Sequence, residues 1–221
     1  MKTIEISVII PACNEEKYIM KTISSVKDQF FKDYEIIVVC DGCTDNTEKV
    51  ISNKVDRVIS LTERTGPANA KNIGASRASG KIFIFLDADT LVSKKTLLKI
   101  KDSIKENVVG TCKIKPDSNK PRHKLIYSLK NIFVTPFGVS NGIIFCTKNT
   151  FIKYKGFDYL LQKAEDGTFI RKIKRRGKFL VLNDYVTSSV RRFEKLGYIS
   201  VLLYWTKEFI LTSKNKYPVI R

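Results

Sequence analysis

Lys81-Ile-Phe-Ile-Phe-Leu-Asp-Ala-Asp89 runs five apolar residues straight into two carboxylates one residue apart. An unbroken apolar run of this length, entered through Ser79-Gly80, predicts a strand buried on both faces of a sheet. Asp87 and Asp89 then fall at its carboxyl end, the edge of an open parallel α/β sheet where loops fan outward and ligands bind. Two carboxylates at i and i+2 on an emerging loop can share one hard divalent cation with the phosphates of a ligand. A solvated turn suits the same two residues equally well, since Asp is common after a strand.

Upstream, the β-rich run from Ile4 to Ile10 ends at Pro11-Ala-Cys-Asn-Glu-Glu16. Pro11 is expected to stop the ladder, with Asn14 and the two glutamates capping a helix that enters at about Lys17 and ends near Gln29. Tyr34 to Cys40 is a second apolar run, closing on Asp41-Gly-Cys-Thr-Asp-Asn-Thr47, where Thr44 or Asp45 can cap the next helix. A third strand, Val55 to Leu61, leads to Arg64-Thr-Gly-Pro67, and Ala68 to Ala78 reads as a small-residue helix lying close on the sheet. Strand and helix alternating with short loops predict a parallel sheet covered on both faces. All the strand ends then share one edge, which gathers Asn14, Glu15, Asp41, Asp45, Asp87 and Asp89 into one crevice.

The second half is less regular. Residues 94–107 read as an amphipathic helix, 108–115 and 141–146 as strands, and Gly156-Phe-Asp158 as a turn. Ala164-Glu-Asp-Gly-Thr168 opens a helix running to Arg176, with Gly177 as its expected C′ stop. Lys178 to Leu182 returns as a strand, and Leu196 to about Leu211 closes the chain as a helix.

The 221 residues allow one domain with a core of independent stability. The net charge of +18 is uneven: residues 1–90 carry 12 Lys/Arg against 13 Asp/Glu, and residues 91–221 carry 28 against 9. A basic second half is drawn to an anionic surface, whether phospholipid, polyanionic substrate or nucleic acid. Five cysteines scattered through apolar segments fit a reducing compartment better than a disulfide framework. Cys40-Asp-Gly-Cys43 lacks the second pair that a structural zinc site needs, and the one histidine, His123, is distant. The start, Met1-Lys-Thr-Ile-Glu-Ile, has no apolar signal-peptide core, and Tyr198 to Trp205 falls short of the roughly 18 apolar residues of a spanning helix. A cytoplasmic protein is expected. Its final helix carries apolar bulk with Trp205 between basic ends, which suits an anionic membrane interface; a helix buried in the core or in a dimer contact would read much the same.

Strand-PACNEE, strand-DGCTDNT, RTGPANAKNIG before a strand ending in DAD, and a later AED opening a helix together resemble the family 2 glycosyltransferases of the GT-A fold, from Ile6 to Arg192. The resemblance implies a mostly parallel α/β sheet flanked by helices, with residues 1–90 as a nucleotide-sugar-binding half. A smaller mixed portion over 91–193 would bind the acceptor, and 194–221 would be the C-terminal helix. Pro11, Ala12, Asn14 and Glu15 would then embrace the ribose and base, and Asp41 would accept a hydrogen bond from a base N–H. Arg64 and Lys71 would pair with diphosphate oxygens. In Asp87-Ala88-Asp89, Asp87 would contact ribose and Asp89 would bind Mn²⁺ or Mg²⁺, which offsets the charge on the departing diphosphate. Asp166 would be the base of an inverting transfer; from the residues alone, an acid at a helix start is also a cap.

The match has departures. Gly167-Thr168 stands where relatives often carry another acid, and Lys155-Gly-Phe-Asp158 has one glycine of a common Gly-Gly-Phe turn. Ser188-Ser-Val-Arg-Arg-Phe193 lacks the Gln and the Trp of the processive synthases, which favours transfer of one sugar over polymerisation. The expected donor is UDP- or GDP-linked, and the acceptor a glycan, a lipid-linked glycan or a polyprenyl phosphate. A sugar-phosphate nucleotidyltransferase would show a Gly-rich basic loop after the first strand, and PACNEE has no glycine. A nucleic-acid-binding protein fits the charge, but no binding motif accompanies it and the acidic strand ends would repel phosphate.

Overall fold

Alternation along the central strands decides which core each side chain enters. In the computed structural model, which describes residues 4–161 and 164–197, β4 (Ile82–Leu86) sends Ile82, Ile84 and Leu86 to one face and Phe83 and Phe85 to the other. All five are buried, as their unbroken run predicts. Each Ile or Phe taken out of water contributes about 1.5–3 kcal/mol, so this strand anchors both layers.

Beside it lies β1 (Ile6–Ala12), which pairs in parallel with β4 and with β2 (Tyr34–Asp41); β2 pairs in parallel with β3 (Arg57–Leu61). Between them run α1 (Ile19–Lys27), α2 (Thr47–Ile51) and α3 (Pro67–Ser76). Ile19, Ile23 and Val26 of α1 join Val8 and Ile10 in the first core, while Ala68 and Ala75 of α3 join Ile9 in the second. The small residues of α3 let it lie close: a side chain at Gly74 would collide with Ile9.

The chain continues through β5 (Thr90–Leu91), α4 (Thr96–Ser103), β6 (Val108–Pro116), α5 (Pro121–Phe133), a 3₁₀ turn over Thr135–Phe137, β7 (Ile143–Thr147), α6 (Lys148–Lys153), α7 (Glu165–Lys174), β8 (Lys178–Ser188) and α8 (Arg191–Leu196). One eight-stranded sheet results, in the order β3-β2-β1-β4-β7-β6-β8-β5. Its β7 is antiparallel to both β4 and β6, which are its neighbours, and this mixed portion adjoins the parallel one.

Several expectations are corrected. Pro11 does not stop the strand: pairing with β4 ends at Ile9, but pairing with β2 continues to Ala12. Asn14 does not cap α1, which begins after Tyr18 with no side-chain cap; it adopts a left-handed φ of 58° and bonds to another loop. Gly177 is not a left-handed C′ residue; glycine is required there because a side chain would strike the carbonyl of Asn107. Past a bulge opposite Cys112 and Lys113, β8 runs on to Ser188. Helix α5 had no counterpart in the sequence reading. The expected helix over 196–211 lies almost wholly outside the described residues, among which no helix is long and apolar enough to cross a membrane.

Asp184 on β8 pins the start of α4. Its carboxylate accepts from Thr96 Oγ1 at 2.6 Å, Ser93 Oγ at 2.9 Å and Lys99 Nζ at 2.9 Å. Burial pushes its carboxyl up, but these donors outweigh that and hold it below the usual range. Asp184→Ala is expected to cost about 2–3 kcal/mol at pH 7 in denaturant unfolding. A group with a depressed folded value stabilises above the unfolded carboxyl range, near 3.9, and loses that contribution as pH falls through its folded value. The gap between variant and wild type should therefore close in acid and stay constant above about pH 5.

Candidate active site

Two loops at the carboxyl edge are tied side chain to backbone. Asn14 Oδ1 accepts from Thr44 N at 2.7 Å and Asp45 N at 3.3 Å, and Glu15 N donates to Thr47 Oγ1 at 2.8 Å. Asp45 accepts from Thr47 N and Glu16 N; burial raises its carboxyl, and the bonds from Thr47 and Glu16 bring it below the usual range. The rim formed by Ala12 to Glu16 and Asp41 to Thr47 is therefore a rigid cradle.

Asp41 is buried and spends both oxygens on the next loop. Oδ1 accepts from Thr65 N at 2.6 Å and Thr65 Oγ1 at 2.9 Å, and Oδ2 from Gly66 N at 2.9 Å. A base N–H would have to share Oδ2 with Gly66. Gly42, at φ 62°, lets this loop close: a Cβ there would lie 2.5 Å from Arg64 N. Asp41 thus fixes the segment carrying Arg64, which is exposed at the rim.

Lys71 is where the structure departs most from expectation. Its ammonium does not face the open crevice: it is buried on α3 and pairs with Glu165 Oε1 at 3.0 Å and with Asp166 Oδ1. Burial pulls its proton affinity down, but Asp166, Glu165 and Asp87 outweigh that and hold it charged. Glu165 goes the other way, pushed up by burial against the pull of Lys71. The second oxygen of Asp166 accepts from Ser140 Oγ at 2.7 Å. Helix α7, which carries both acids in its first turn, is entered through Ala164 at φ 55°, a left-handed conformation unfavourable for a residue with a Cβ. Such a conformation persists only where the surrounding structure holds the segment.

Asp87 and Asp89 follow β4, with Ala88 buried between them and its carbonyl held by Thr22 Oγ1 at 2.8 Å. Asp87 N donates to Gly142 O at 2.8 Å, so the carboxylate sits where β7 begins. Asp89 Oδ2 lies 3.0 Å from Arg191 Nη2. That guanidinium also makes a two-pronged pair with Glu15, at 2.7 and 2.9 Å, and stacks 4.5 Å from the Tyr18 ring centroid. Burial lowers the proton affinity of Arg191, and Glu15 and Asp89 more than restore it. As oxygen donors, Asp87 and Asp89 fit a hard divalent cation. No third acid, His or Cys completes a metal cluster among the described residues, so other ligands would have to come from substrate and water.

Residues 7–161 match the family described as Glycosyl transferase family 2. The chain belongs to this family. The Campylobacter jejuni GalNAc(5)-diNAcBac-PP-undecaprenol beta-1,3-glucosyltransferase is 32% identical over 124 residues, 52% of this chain and 40% of that protein. Staphylococcus aureus poly(ribitol-phosphate) beta-N-acetylglucosaminyltransferase TarS is 35% identical over 98 residues, 41% of this chain and 17% of its own length. Both relatives are thus matched over less than half of their length. Among solved structures, the Pyrobaculum calidifontis mannosyltransferase PcManGT with GDP-Man and Mn²⁺ superposes with a TM-score of 0.70 at 20% identity, over 95% of this chain and 65% of its own. A TarS fragment with UDP-GlcNAc gives 0.68 at 24% identity, over 84% and 58%. The fold is the GT-A fold of these glycosyltransferases.

In this crevice the sequence pointed to Glu15, Asp87, Asp89 and Asp166 but not to two of their partners. Arg191 was visible only as one of two arginines after β8, and Ser140 had no signal at all. Lys71→Met keeps the bulk but strips Glu165 and Asp166 of their cation. Removing one member of a buried ionic group costs about 3–5 kcal/mol, so a large drop in thermal midpoint at pH 7 is expected. The deficit should shrink as pH falls and Glu165 takes up a proton.

Proposed function

We propose that this family 2 chain transfers one sugar, with inversion, from a UDP- or GDP-linked donor to a lipid-linked glycan acceptor. The observation that carries the reading is the placement of Asp166, an acid at a helix start gripped between the Lys71 ammonium and the Ser140 hydroxyl beside the Asp87 strand end. Such a grip holds a general base in one orientation while the acceptor approaches.

The roles follow from position. The cradle of Pro11, Ala12, Asn14 and Glu15 receives the nucleoside, Asp41 sets the loop that presents Arg64, and Arg64 meets the diphosphate. Asp89, with Asp87, would hold Mn²⁺ or Mg²⁺, which when bound would offset charge on the diphosphate. Asp166 takes the proton of the acceptor hydroxyl. That oxygen forms its bond to the anomeric carbon as the carbon–oxygen bond to the diphosphate breaks, and the electron pair leaves with the nucleoside diphosphate. Ser140 steadies Asp166 before the acceptor arrives. Lys71 serves as the electrostatic floor of the base and not as a diphosphate ligand.

The relatives support this reading as far as their names go: one acts on an undecaprenol-diphosphate-linked glycan and the other on poly(ribitol-phosphate). A second reading, with a polyprenyl phosphate as acceptor, is favoured by the lysines of the second half. An ionised phosphate needs no base, so Asp166→Asn separates the two. With a hydroxyl acceptor, kcat should fall about 10²–10⁴-fold, whereas a phosphate acceptor should lose little. Full activity of Asp166→Ala on hydroxyl acceptors would remove Asp166 from the mechanism.

A further inference from the structure

Helix α5 is amphipathic the wrong way round. Its buried positions are His123, Tyr127 and Lys130, whereas Leu125, Leu129, Ile132 and Phe133, at i, i+4, i+7 and i+8, face solvent. Phe137 of the following 3₁₀ turn continues the stripe. Leu125, Ile132, Phe133 and Phe137 are each more than 60% exposed, and five of the eleven exposed large hydrophobic side chains among the described residues fall within these 13 positions. A soluble helix turns its apolar face to the core, and an exposed apolar run of this kind marks an interaction site.

Along the same helix lies a groove of about 790 Å³, between α5 and strands β6 and β8. Ile132 belongs to both the stripe and the groove, so the two surfaces are continuous. Lys113, Lys115 and Lys124 bring positive charge to its walls, against Asp117, and Tyr185 lines it from β8. Of these, Lys113 bonds to Asn183 Oδ1 at 2.9 Å, and Asp117 accepts from Val190 N at 2.9 Å.

We propose that the outward face of α5, with the adjoining lysine-lined groove, is the surface on which this protein docks to an anionic phospholipid bilayer. The apolar stripe enters the acyl boundary, and Lys115 and Lys124 meet headgroup phosphates. The charge decides the occupant. A second copy would bring the same lysines against these and be repelled. A bilayer with anionic headgroups offers apolar depth and negative charge together; nucleic acid offers no apolar depth.

The surface also lies at the right place. Phe137 is three residues from Ser140, whose hydroxyl holds Asp166, so no more than about 10 Å of chain separates the stripe from that contact. A docked bilayer would present a lipid-linked acceptor beside the base. The inference rests on the lipid-linked reading of the acceptor given above.

The test is sedimentation of the full chain with vesicles of phosphatidylcholine alone and of phosphatidylcholine with phosphatidylglycerol. Wild type is expected to bind the anionic vesicles, and less so as salt rises. Ile132→Glu/Phe133→Glu and Lys115→Glu/Lys124→Glu should each weaken that binding roughly tenfold or more. All four residues are exposed, so an unchanged thermal midpoint certifies the fold, and donor hydrolysis without acceptor should stay at the wild-type rate. Vesicle binding that survives both double variants, or that is lost only in Trp205→Glu, would overturn the proposal. So would a wild type that ignores vesicles and instead self-associates through α5. Loss of donor hydrolysis in wild type would count against the transferase reading and leave the vesicle result to stand by itself.

Discussion

A lysine ammonium taken out of water costs several kcal/mol unless charge surrounds it, and in this chain that charge comes from nearly a hundred residues away. Lys71 sits on α3, among the first four strands, and its carboxylate partners open α7 in the second half. Asp87 adds a third negative group from the end of β4. The Phe157 ring lies 5.1 Å from the ammonium and packs against the tilted ring of Phe169, 4.5 Å away between centroids. Neither part of the chain can satisfy its own charges here. The pairing that makes the fold electrically tolerable also delivers Asp166 to the sheet edge that carries Asp87 and Asp89.

Arg191 repeats that logic at the other side of the crevice. Its guanidinium spans Glu15, at the end of β1, and Asp89, after β4, while Tyr18 supplies a stacking face. A planar fork suits this task, because it can grip one carboxylate with two nitrogens and still reach another. Two cations from different places in the chain thus face five acids, Glu15, Asp87, Asp89, Glu165 and Asp166, and all but Glu165 have a part in the proposed chemistry.

Much of this was legible in the sequence, and the reasons are specific. The unbroken run from Ile82 to Leu86, bounded by Ser79-Gly80 and the two aspartates, reads as a strand buried on both faces, and the parallel strands before it bring their carboxyl ends to one edge. The illegible parts are those in which a local rule was overruled by distant contact. Pro11 reads as a strand breaker, yet the strand continues through it on the β2 side. Lys71 reads as a rim cation beside Arg64, and only the fold reveals acids behind it. Ser140 is a loop serine whose partner lies 26 positions on. Helix α5 is illegible in the sequence because its apolar period points outward; it packs through His123 and Tyr127 onto Phe193, at 6.2 and 5.9 Å between ring centroids.

The crevice holding Asp89 is expected to bind a nucleoside diphosphate together with a divalent cation. Its most direct test is the thermal midpoint of wild type and Asp89→Ala with UDP or GDP, each with and without Mn²⁺. A ligand at a hundredfold its dissociation constant stabilises the native state by about 2.7 kcal/mol, enough to move the midpoint by several degrees. One of the two diphosphates should raise the wild-type midpoint when Mn²⁺ is present, and Asp89→Ala should abolish the shift. A wild type unmoved by either diphosphate with Mn²⁺, or an Asp89→Ala variant that responds as wild type does, would contradict this expectation.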